Sequence, residues 1–367
     1  MPVRTFWCSD SSVENQTFNF SHHLVKMSTG VAQLVCLGAQ DEWISSEPEM
    51  SHFSATYKRH TPFSQCVEKQ QIQGAIRSNS YSSITLAKNG DLLGYTYFTV
   101  DDGTSAVEIS IWRDLIESVQ LVVGGQVIDE QTSEFSQNVA LDMFAKNMSK
   151  GSLGPGGRES WFYPLRFFFC ENMQSALPMC ALGYQEVELR IRWGPNAGNY
   201  TWECHSNYYF LDTEERRQMM SQTLNMLIYQ IQSCPGSGEL TQELTFNHPV
   251  KFIASANTFT GSTLTAPDNR IKLSINGTEM SSYKWARPNF LDVSAYYHTK
   301  AVTSPDVFMY SFGNDTTKLQ PTGTLNFSRV STFKIHSESK NLIDKIYACS
   351  YNIFTIKNGI GALRFAN

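Results

Sequence analysis

Residues 117–130, ESVQLVVGGQVIDE, predict a β-hairpin, because apolar and polar side chains alternate on both sides of the Gly124-Gly125 pair. A tight hairpin turn needs positive φ angles, which glycine and asparagine adopt at low cost. Residues 83–100, SITLAKNGDLLGYTYFTV, carry the same signal with a turn at Asn89-Gly90. Most of the remaining chain also consists of short strand patterns between turn residues, which predicts an all-β protein.

The first hairpin has a counterpart in the second half of the chain. Residues 270–280, RIKLSINGTEM, turn at Asn276-Gly277, and Ile271 aligns with Val119 at an offset of 152 positions (119 to 271). An offset close to half of the 367 residues is what a duplicated β domain would leave, although hairpins in general share this alternation. Many short strands in two similar halves favour two tandem jelly rolls.

One helix is predicted between the two halves. Asp212 and Glu215 have the spacing of an N-cap residue and its partner at the third helical position. Apolar residues then recur at helical spacing until Pro235-Gly236 ends the run. These residues are Met220, Leu224, Leu227, Ile228 and Ile231. A second helix is predicted at 136–148, within a long loop at 131–159 that we expect to project outward.

The composition favours a protein that buries much of its surface against partners. Of the 367 residues, 41% are hydrophobic and 13% aromatic, whereas only 17% are charged, which excludes intrinsic disorder. The net charge is −5, so the chain lacks the basic surface that binding to nucleic-acid phosphates requires. We therefore expect no direct binding of nucleic acid.

The sequence shows neither a signal peptide nor a membrane-spanning segment. The first 26 residues contain no apolar run of signal-peptide length. The longest uncharged stretch, 218–238, is too rich in glutamine and serine to cross a bilayer. Eight cysteines are scattered without a C-x-x-C pair, which favours free thiols in a reducing compartment.

No catalytic, cofactor-binding or metal-binding residue is predicted. An iron-dependent oxygenase on a jelly roll needs an H-x-D/E pair and a second histidine downstream. Only His336-Ser-Glu338 supplies such a pair, and no histidine follows it. The pair His22-His23 has a spacing that could suit zinc, but it lies in an expected tail. The glycine-rich residues 151–157 lack the Lys-Ser/Thr of a phosphate-binding loop.

A series of segments matches the motifs of one protein family in the same order. They are QLVCLGAQDEW (33–43), YKRHTPF (57–63), KNGDL (88–92), SVQLVVGGQVID (118–129), WFYPLRFFFCENMQSALPMCALGYQEVELRI (161–191), FLDTEER (210–216), FNHPVK (246–251), YSF (310–312), QPTGTLNFSR (320–329) and YACSYNIFTIKNGIGALRFAN (347–367). The first three are similar to the family's QLVAYGAQD, YRRHTNF and R-N-G-D-L motifs. In these segments the chain resembles the major capsid proteins of nucleocytoplasmic large DNA viruses of the phycodnavirus and mimivirus-like type.

The resemblance implies two tandem eight-stranded antiparallel jelly rolls joined by a helical connector. The implied domains are an N-terminal extension at 1–26, a first jelly roll at 27–212, a connector helix and linker at 213–245, and a second jelly roll at 246–367. It implies a structural capsid protein without enzymatic activity or cofactor, which trimerises into pseudo-hexagonal capsomers that tile an icosahedral shell. The implied partners are further copies of the chain, neighbouring capsomers, and minor capsid and penton proteins, with an internal viral membrane contacted only indirectly. The implied location is the virion capsid, assembled in the host cytoplasm.

Self-association needs contact residues, for which the sequence offers several candidates. The aromatic segment 161–170 suits both a core and a contact surface, and the core is favoured for any single aromatic there. Trp285, in a loop-like stretch, is a better contact candidate than Phe168, which we predict in mid-strand. Arg59 and Arg329 form charge-assisted hydrogen bonds in one interpretation and are solvated charges in the other.

Three other functional interpretations stay open. The expected extension at 1–26, and Trp285-Ala286-Arg287 in place of a more charged stretch, allow a minor or paralogous capsid protein. Exposed aromatics on a β-sandwich are also typical of a carbohydrate-binding protein. An iron-dependent oxygenase is the third interpretation, and the missing downstream histidine counts against it.

Overall fold

The computed structural model describes residues 29–55, 57–140, 161–256, 263–299 and 307–366. Residues 1–60 and 61–367 form two separate compact units. In the first unit, the described residues contain two short helices, α1 (Thr29–Val35) and α2 (Ala39–Ser45), and all their side chains are exposed. All the strands that the structure describes lie in the second unit. The predicted extension at 1–26 lies outside the described residues.

The second unit begins with a jelly roll, the first roll. Its strands are β1 (Phe63–Gln70), β2 (Tyr81–Thr85), β3 (Leu92–Asp101), β4 (Ile116–Val123), β5 (Gln126–Thr132), β6 (Phe162–Pro164), β7 (Leu177–Pro178), β8 (Val187–Trp193) and β9 (Thr201–Leu211). One antiparallel sheet has the order β1-β9-β3-β6, with β7 beside β3, and the other has the order β2-β8-β4-β5. Strands that follow one another in the chain are thus shared between two sheets in the pattern of a jelly roll.

A second roll repeats this topology. Its strands are β10 (Leu224–Cys234), β11 (Thr241–Glu243), β12 (Pro249–Ala256), β13 (Arg270–Ile275), β14 (Thr278–Glu279), β15 (Lys284–Trp285), β16 (Val307–Ser311), β17 (Leu325–Asn326), β18 (Phe333–Ser337), β19 (Ile346–Lys357) and β20 (Ile360–Leu363). One sheet has the order β10-β19-β12-β16, with β17 beside β12 and β20 beside β19. The other has the order β11-β18-β13-β14, with β15 beside β13. The strand orders of the two rolls correspond position by position, which confirms the predicted all-β double jelly roll.

Short helices lie in the connections. In the described part of the second unit, the α-helices are α3 (Phe168–Glu171), α4 (Thr213–Ser221) and α5 (Val293–His298). Two π-helical turns span Phe135–Val139 and Pro288–Asp292. Single 3-10 turns span Trp112–Asp114, Met173–Ser175, Met179–Ala181, Ala197–Asn199, Thr263–Thr265 and Phe327–Arg329. Within the described ranges, no helix has the length and apolar character needed to cross a membrane.

Two of the three predicted hairpins are confirmed. Strands β4 and β5 pair across Gly124-Gly125, whose φ angles are 55° and 86°, and β13 and β14 pair across Asn276-Gly277, whose φ angles are 50° and 81°. The third is wrong, because β2 and β3 lie in opposite sheets. Gly90 does not form a hairpin turn but lets its backbone lie close to β9, since a Cβ there would lie 2.7 Å from Cβ of Tyr208.

The helix predicted behind Asp212 is correct only for its first turns. Helix α4 ends at Ser221, and from Leu224 onward the chain forms β10, which pairs with β19 over its whole length. The centre of β10 is covered on both faces, so that Ile228 and Tyr229 are 1% and 8% exposed. A strand buried on both sides carries no strict apolar alternation and can be mistaken for a helix.

The predicted outward loop at 131–159 is wrong for its described part. Residues 131–140 complete β5 and form a π-helical turn in which Phe135 and Val139 are fully buried. These apolar side chains belong to the core and do not project outward. The rest of the loop, 141–159, and most of the helix predicted at 136–148 lie outside the described residues.

Two hydrophobic cores organise the rolls. The core inside the second roll contains Phe308, Phe333 and Ile253. The other core fills the first roll and extends to the outer face of the β10-β19-β12-β16 sheet, where Phe252 and Tyr347 belong to it. This sheet is therefore buried on both sides, by its own roll and by the first roll.

Candidate assembly surfaces

The two residues of the candidate metal pair, His336 and Glu338, contact other side chains of the second roll. His336 lies 3.1 Å from Oγ1 of Thr241 and 2.9 Å from Oγ of Ser274, and its partial burial lowers its pKa. Glu338 instead forms an ion pair with Arg270 at 3.7 Å. Over the ranges that the structure describes, no group of three or more His, Cys, Asp or Glu side chains is placed to hold a metal ion, while His22-His23 falls outside them.

The two rolls are in contact with each other at a junction formed by the end of β5 and the outer face of β19. The rings of Phe135 and Tyr347 lie 5.5 Å apart, so the segment after β5 packs on the outer face of β19. The Tyr347 hydroxyl lies 3.1 Å from Oγ1 of Thr132 and donates to Oε2 of Glu134 at 3.1 Å. These contacts attach the end of β5 in the first roll to the sheet of the second roll.

A buried carboxyl group lies at the same junction. Asp129 accepts a hydrogen bond from the backbone N–H of Ile231 at 2.9 Å and another from Nε2 of Gln131 at 2.8 Å. The same Nε2 donates to the carbonyl oxygen of Arg166 at 2.7 Å. Because Asp129 is 4% exposed, burial raises its pKa to about 7. The contact between the rolls therefore includes a group that titrates near neutral pH.

Two motifs that lie far apart in the sequence meet at Asp91 and Arg216. Asp91 belongs to KNGDL and Arg216 to FLDTEER. Arg216 contacts the carboxylate through both Nε, at 2.6 Å, and Nη2, at 2.8 Å. The backbone N–H of Leu211 also donates to this carboxylate at 2.8 Å. This bidentate pair anchors helix α4 to the start of β3.

The first roll has an exposed surface on the outside of the β1-β9-β3-β6 sheet, which we call the outer aromatic face. It consists of Val67, Tyr95, Tyr97, Phe162 and His205. The Tyr97 ring stacks on His205 at 5.3 Å and meets Phe162 edge-on at 5.9 Å. Val67 and Tyr95 are 43% and 42% exposed. The described chain thus leaves an aromatic sheet surface only partly covered.

Charged side chains adjoin the outer aromatic face. Glu203 lies on β9 two residues before His205, forms an ion pair with Lys69, and lies with Oε2 3.2 Å from Nε2 of His205. The hydrogen bond from Lys69 and the positive charge of Lys69 lower the pKa of Glu203, so Glu203 is a carboxylate at neutral pH. The face therefore combines an apolar centre with a polar border, as protein interfaces commonly do.

A second exposed surface lies in the second roll at residues 280–298, which we call the 280–298 segment. It includes β15, a π-helical turn and α5. Its exposed large side chains include Trp285 at 46%, Tyr296 at 80% and Tyr297 at 70%. The Arg270 guanidinium lies over the Trp285 ring at 4.2 Å, which orients the indole.

Most of the sequence-based contact candidates can be located. Trp285 is exposed while Phe168 is buried, as predicted, but Phe168 begins α3 and is not in mid-strand. Within 161–170 only Trp161 is strongly exposed among the aromatics, which agrees with the preference for the core. Arg59 and Arg329 are exposed side chains, as in the interpretation of solvated charges.

Sequence reasoning missed the outer aromatic face. The alternation of Tyr95, Tyr97 and Thr99 on β3 was a local signal that one face of this strand is aromatic. Phe162 and His205 join that face only because β6 and β9 pair with β3. Their sequence positions carry no sign of this neighbourhood.

The sequence is similar to those of known proteins over most of its length. A family model described as "Major capsid protein N-terminus" matches residues 51–214, and one described as "Large eukaryotic DNA virus major capsid protein" matches residues 215–362. The chain is 28% identical to the major capsid protein of Pyramimonas orientalis virus and 26% identical to that of Paramecium bursaria Chlorella virus 1, in both cases over 93% of this chain and 100% of the relative.

Solved structures show the same fold. PBCV-1 VP54 superposes with a TM-score of 0.74 at 23% identity, over 86% of this chain and 100% of that chain. The Faustovirus major capsid protein superposes with a TM-score of 0.60 at 11% identity, over 88% of this chain and 94% of that chain. At these identities the likeness concerns the fold of two jelly rolls.

Proposed function

Because the chain belongs to the family of large eukaryotic DNA virus major capsid proteins, we propose that it trimerises into a pseudo-hexagonal capsomer that tiles an icosahedral shell. Its relatives are structural capsid proteins, and the chain is a structural protein and not an enzyme. The observation that supports the trimer is that one chain carries two rolls with the same strand order. Three chains supply six similar rolls, so threefold symmetry approaches the sixfold symmetry of a hexagonal lattice.

The mass of the protein in solution tests the trimer. Sedimentation or light scattering of the full chain should give three times the chain mass of 41.5 kDa. A strictly monomeric protein at high concentration would contradict the proposal. The physical reason for expecting association is the partly exposed aromatic surface on the first roll, which water solvates poorly.

The partners and location belong to the same proposal. The chain would contact neighbouring capsomers, minor capsid proteins and penton proteins, and an internal membrane only indirectly, in virions assembled in the host cytoplasm. Quantitative mass spectrometry of purified virions separates the main shell subunit from a minor or paralogous one. The main subunit should dominate the protein mass, whereas a low copy number would favour the paralogue.

A further inference from the structure

We propose that the outer aromatic face of one chain binds the 280–298 segment of a second copy in a head-to-tail contact. This inference rests on the trimer proposed above and specifies the two surfaces that build it. An interface of the same kind is already formed within the chain. There, the first roll covers the corresponding sheet of the second roll.

The strand registers define which residues of the two sheets correspond. Strand β7 pairs with β3 at Leu93, and β17 pairs with β12 at Val250. Opposite these residues on the neighbouring strands lie Tyr208 and Ser350, and a bulge follows in both rolls. Counting along β9 and β19 from these two positions gives the correspondence. The resulting pairs are His205 with Tyr347, Tyr97 with Ala254, and Val67 with Ile231.

The segments that follow the two hairpins also correspond to each other. Thr132 lies opposite Ser118 on β4, and Trp285 lies opposite Arg270 on β13, at equivalent positions of the two hairpins. Thr132 therefore corresponds to Trp285, and Glu134 corresponds to Arg287. A π-helical turn starts immediately after both, at positions 135 and 288, which supports the alignment.

Corresponding surfaces differ in burial. On the second roll, Tyr347 is 1% exposed because residues 132–135 of the first roll cover it. On the first roll, the described residues leave the counterpart face around His205 partly exposed, with Tyr95 at 42% exposure. Among the described residues, the 280–298 segment, which corresponds to the covering residues, also has exposed large side chains such as Trp285. Each open surface is thus the counterpart of one side of a contact that the chain already makes.

One contact with a second copy covers one surface of each kind, the outer aromatic face of one chain and the 280–298 segment of the other. If the 280–298 segment of the second copy lies on the outer aromatic face, the contact between chains repeats the contact within the chain. Such a heterologous contact closes into a ring when the rotation per roll is one sixth of a turn, which three double-roll chains complete. The charges are compatible with this pairing, because Arg287 would approach Glu203 at the border of the face, where this carboxylate also pairs with Lys69.

The experiment uses the full chain with substitutions on either surface. Tyr97→Arg places a charge at the centre of the outer aromatic face, and Arg287→Glu reverses the charge of the segment. Each should raise the protein concentration at which the trimer dissociates at least about tenfold over wild type, since the contact would then bury an uncompensated charge. Tyr81→Arg is the control, because Tyr81 is a 70% exposed tyrosine on the other sheet of the same roll. It should leave the trimer intact.

Two further measurements keep the test decisive if a variant folds poorly. A photo-crosslinking amino acid at Tyr95 should capture peptides from 280–298 of another copy, and capture of a different region would overturn the inference. The double variant Glu203→Arg with Arg287→Glu should restore part of the association that Arg287→Glu alone loses. If wild type is a trimer and both the Tyr97→Arg and the Arg287→Glu variants remain trimers, the proposed surfaces are wrong but the trimer is not. A monomeric wild type contradicts the trimer itself.

Discussion

Replacing Asp129 with asparagine should remove a pH dependence of stability that the wild-type protein carries. Asp129 is buried at the junction of the rolls, and burial raises its pKa to about 7. In an unfolded chain the pKa of an aspartate is about 4. Because the folded state has the higher pKa, it binds the proton more tightly. The stabilisation is therefore complete below the unfolded pKa and is lost as the pH rises through about 7.

The magnitude follows from these two pKa values. One pKa unit corresponds to about 1.4 kcal/mol, so the whole contribution of Asp129 is about 4 kcal/mol, of which about 2 kcal/mol is lost between about pH 5.5 and about pH 8. The assay is urea unfolding of both proteins over this pH range at one protein concentration. The stability of Asp129→Asn relative to wild type should rise by about 2 kcal/mol from the lower to the higher pH.

The control for this experiment is Glu186→Gln, which neutralises an exposed carboxylate. Its stability should run parallel to that of wild type across the pH range. Asparagine at position 129 can still accept the hydrogen bond from the N–H of Ile231, so the variant tests the charge and not the loss of this contact. Parallel curves for wild type and Asp129→Asn would refute the account of the junction.

Three other substitutions test the fold by equilibrium unfolding. Arg216→Ala should lower the free energy of unfolding by about 1–3 kcal/mol, because its carboxylate partner on the first roll is left buried without a cation. The control Arg217→Ala, which breaks an exposed ion pair, should cost less than about 0.5 kcal/mol. Equal effects of the two substitutions would contradict the anchoring of α4. Gly277→Ala should cost about 1 kcal/mol because its φ is 81°, while Gly183→Ala, in open space without a positive φ, should be nearly neutral, and the reverse order would contradict the turn geometry. Phe308→Ala should cost about 3–5 kcal/mol, since it opens a cavity in the core of the second roll, and a loss below about 1 kcal/mol would contradict its burial there.

Local patterns predicted the elements whose shape depends on neighbouring residues in the chain. The hairpin at 270–280 could be predicted because Asn276-Gly277 alone decides the turn. The segment 83–100 carries a similar local signal but forms no hairpin, because its two strands have better partners in opposite sheets. Strand β10 was mistaken for a helix for a related reason: its partner in the sheet, β19, and the strand β5 that contacts it from the first roll are both distant in sequence.

By itself, the sequence determined the strand-rich character, the two confirmed turns, the double jelly roll and the family, because repeated local motifs carry this information along the chain. Only the tertiary structure decided which surfaces are covered. Asp91 meets Arg216, Asp129 meets Ile231, and the described residues leave the outer aromatic face partly exposed, although no local pattern distinguishes these positions. The physical reason is that a side chain's burial depends on which strands pair and which sheets stack, and these contacts join residues more than a hundred positions apart.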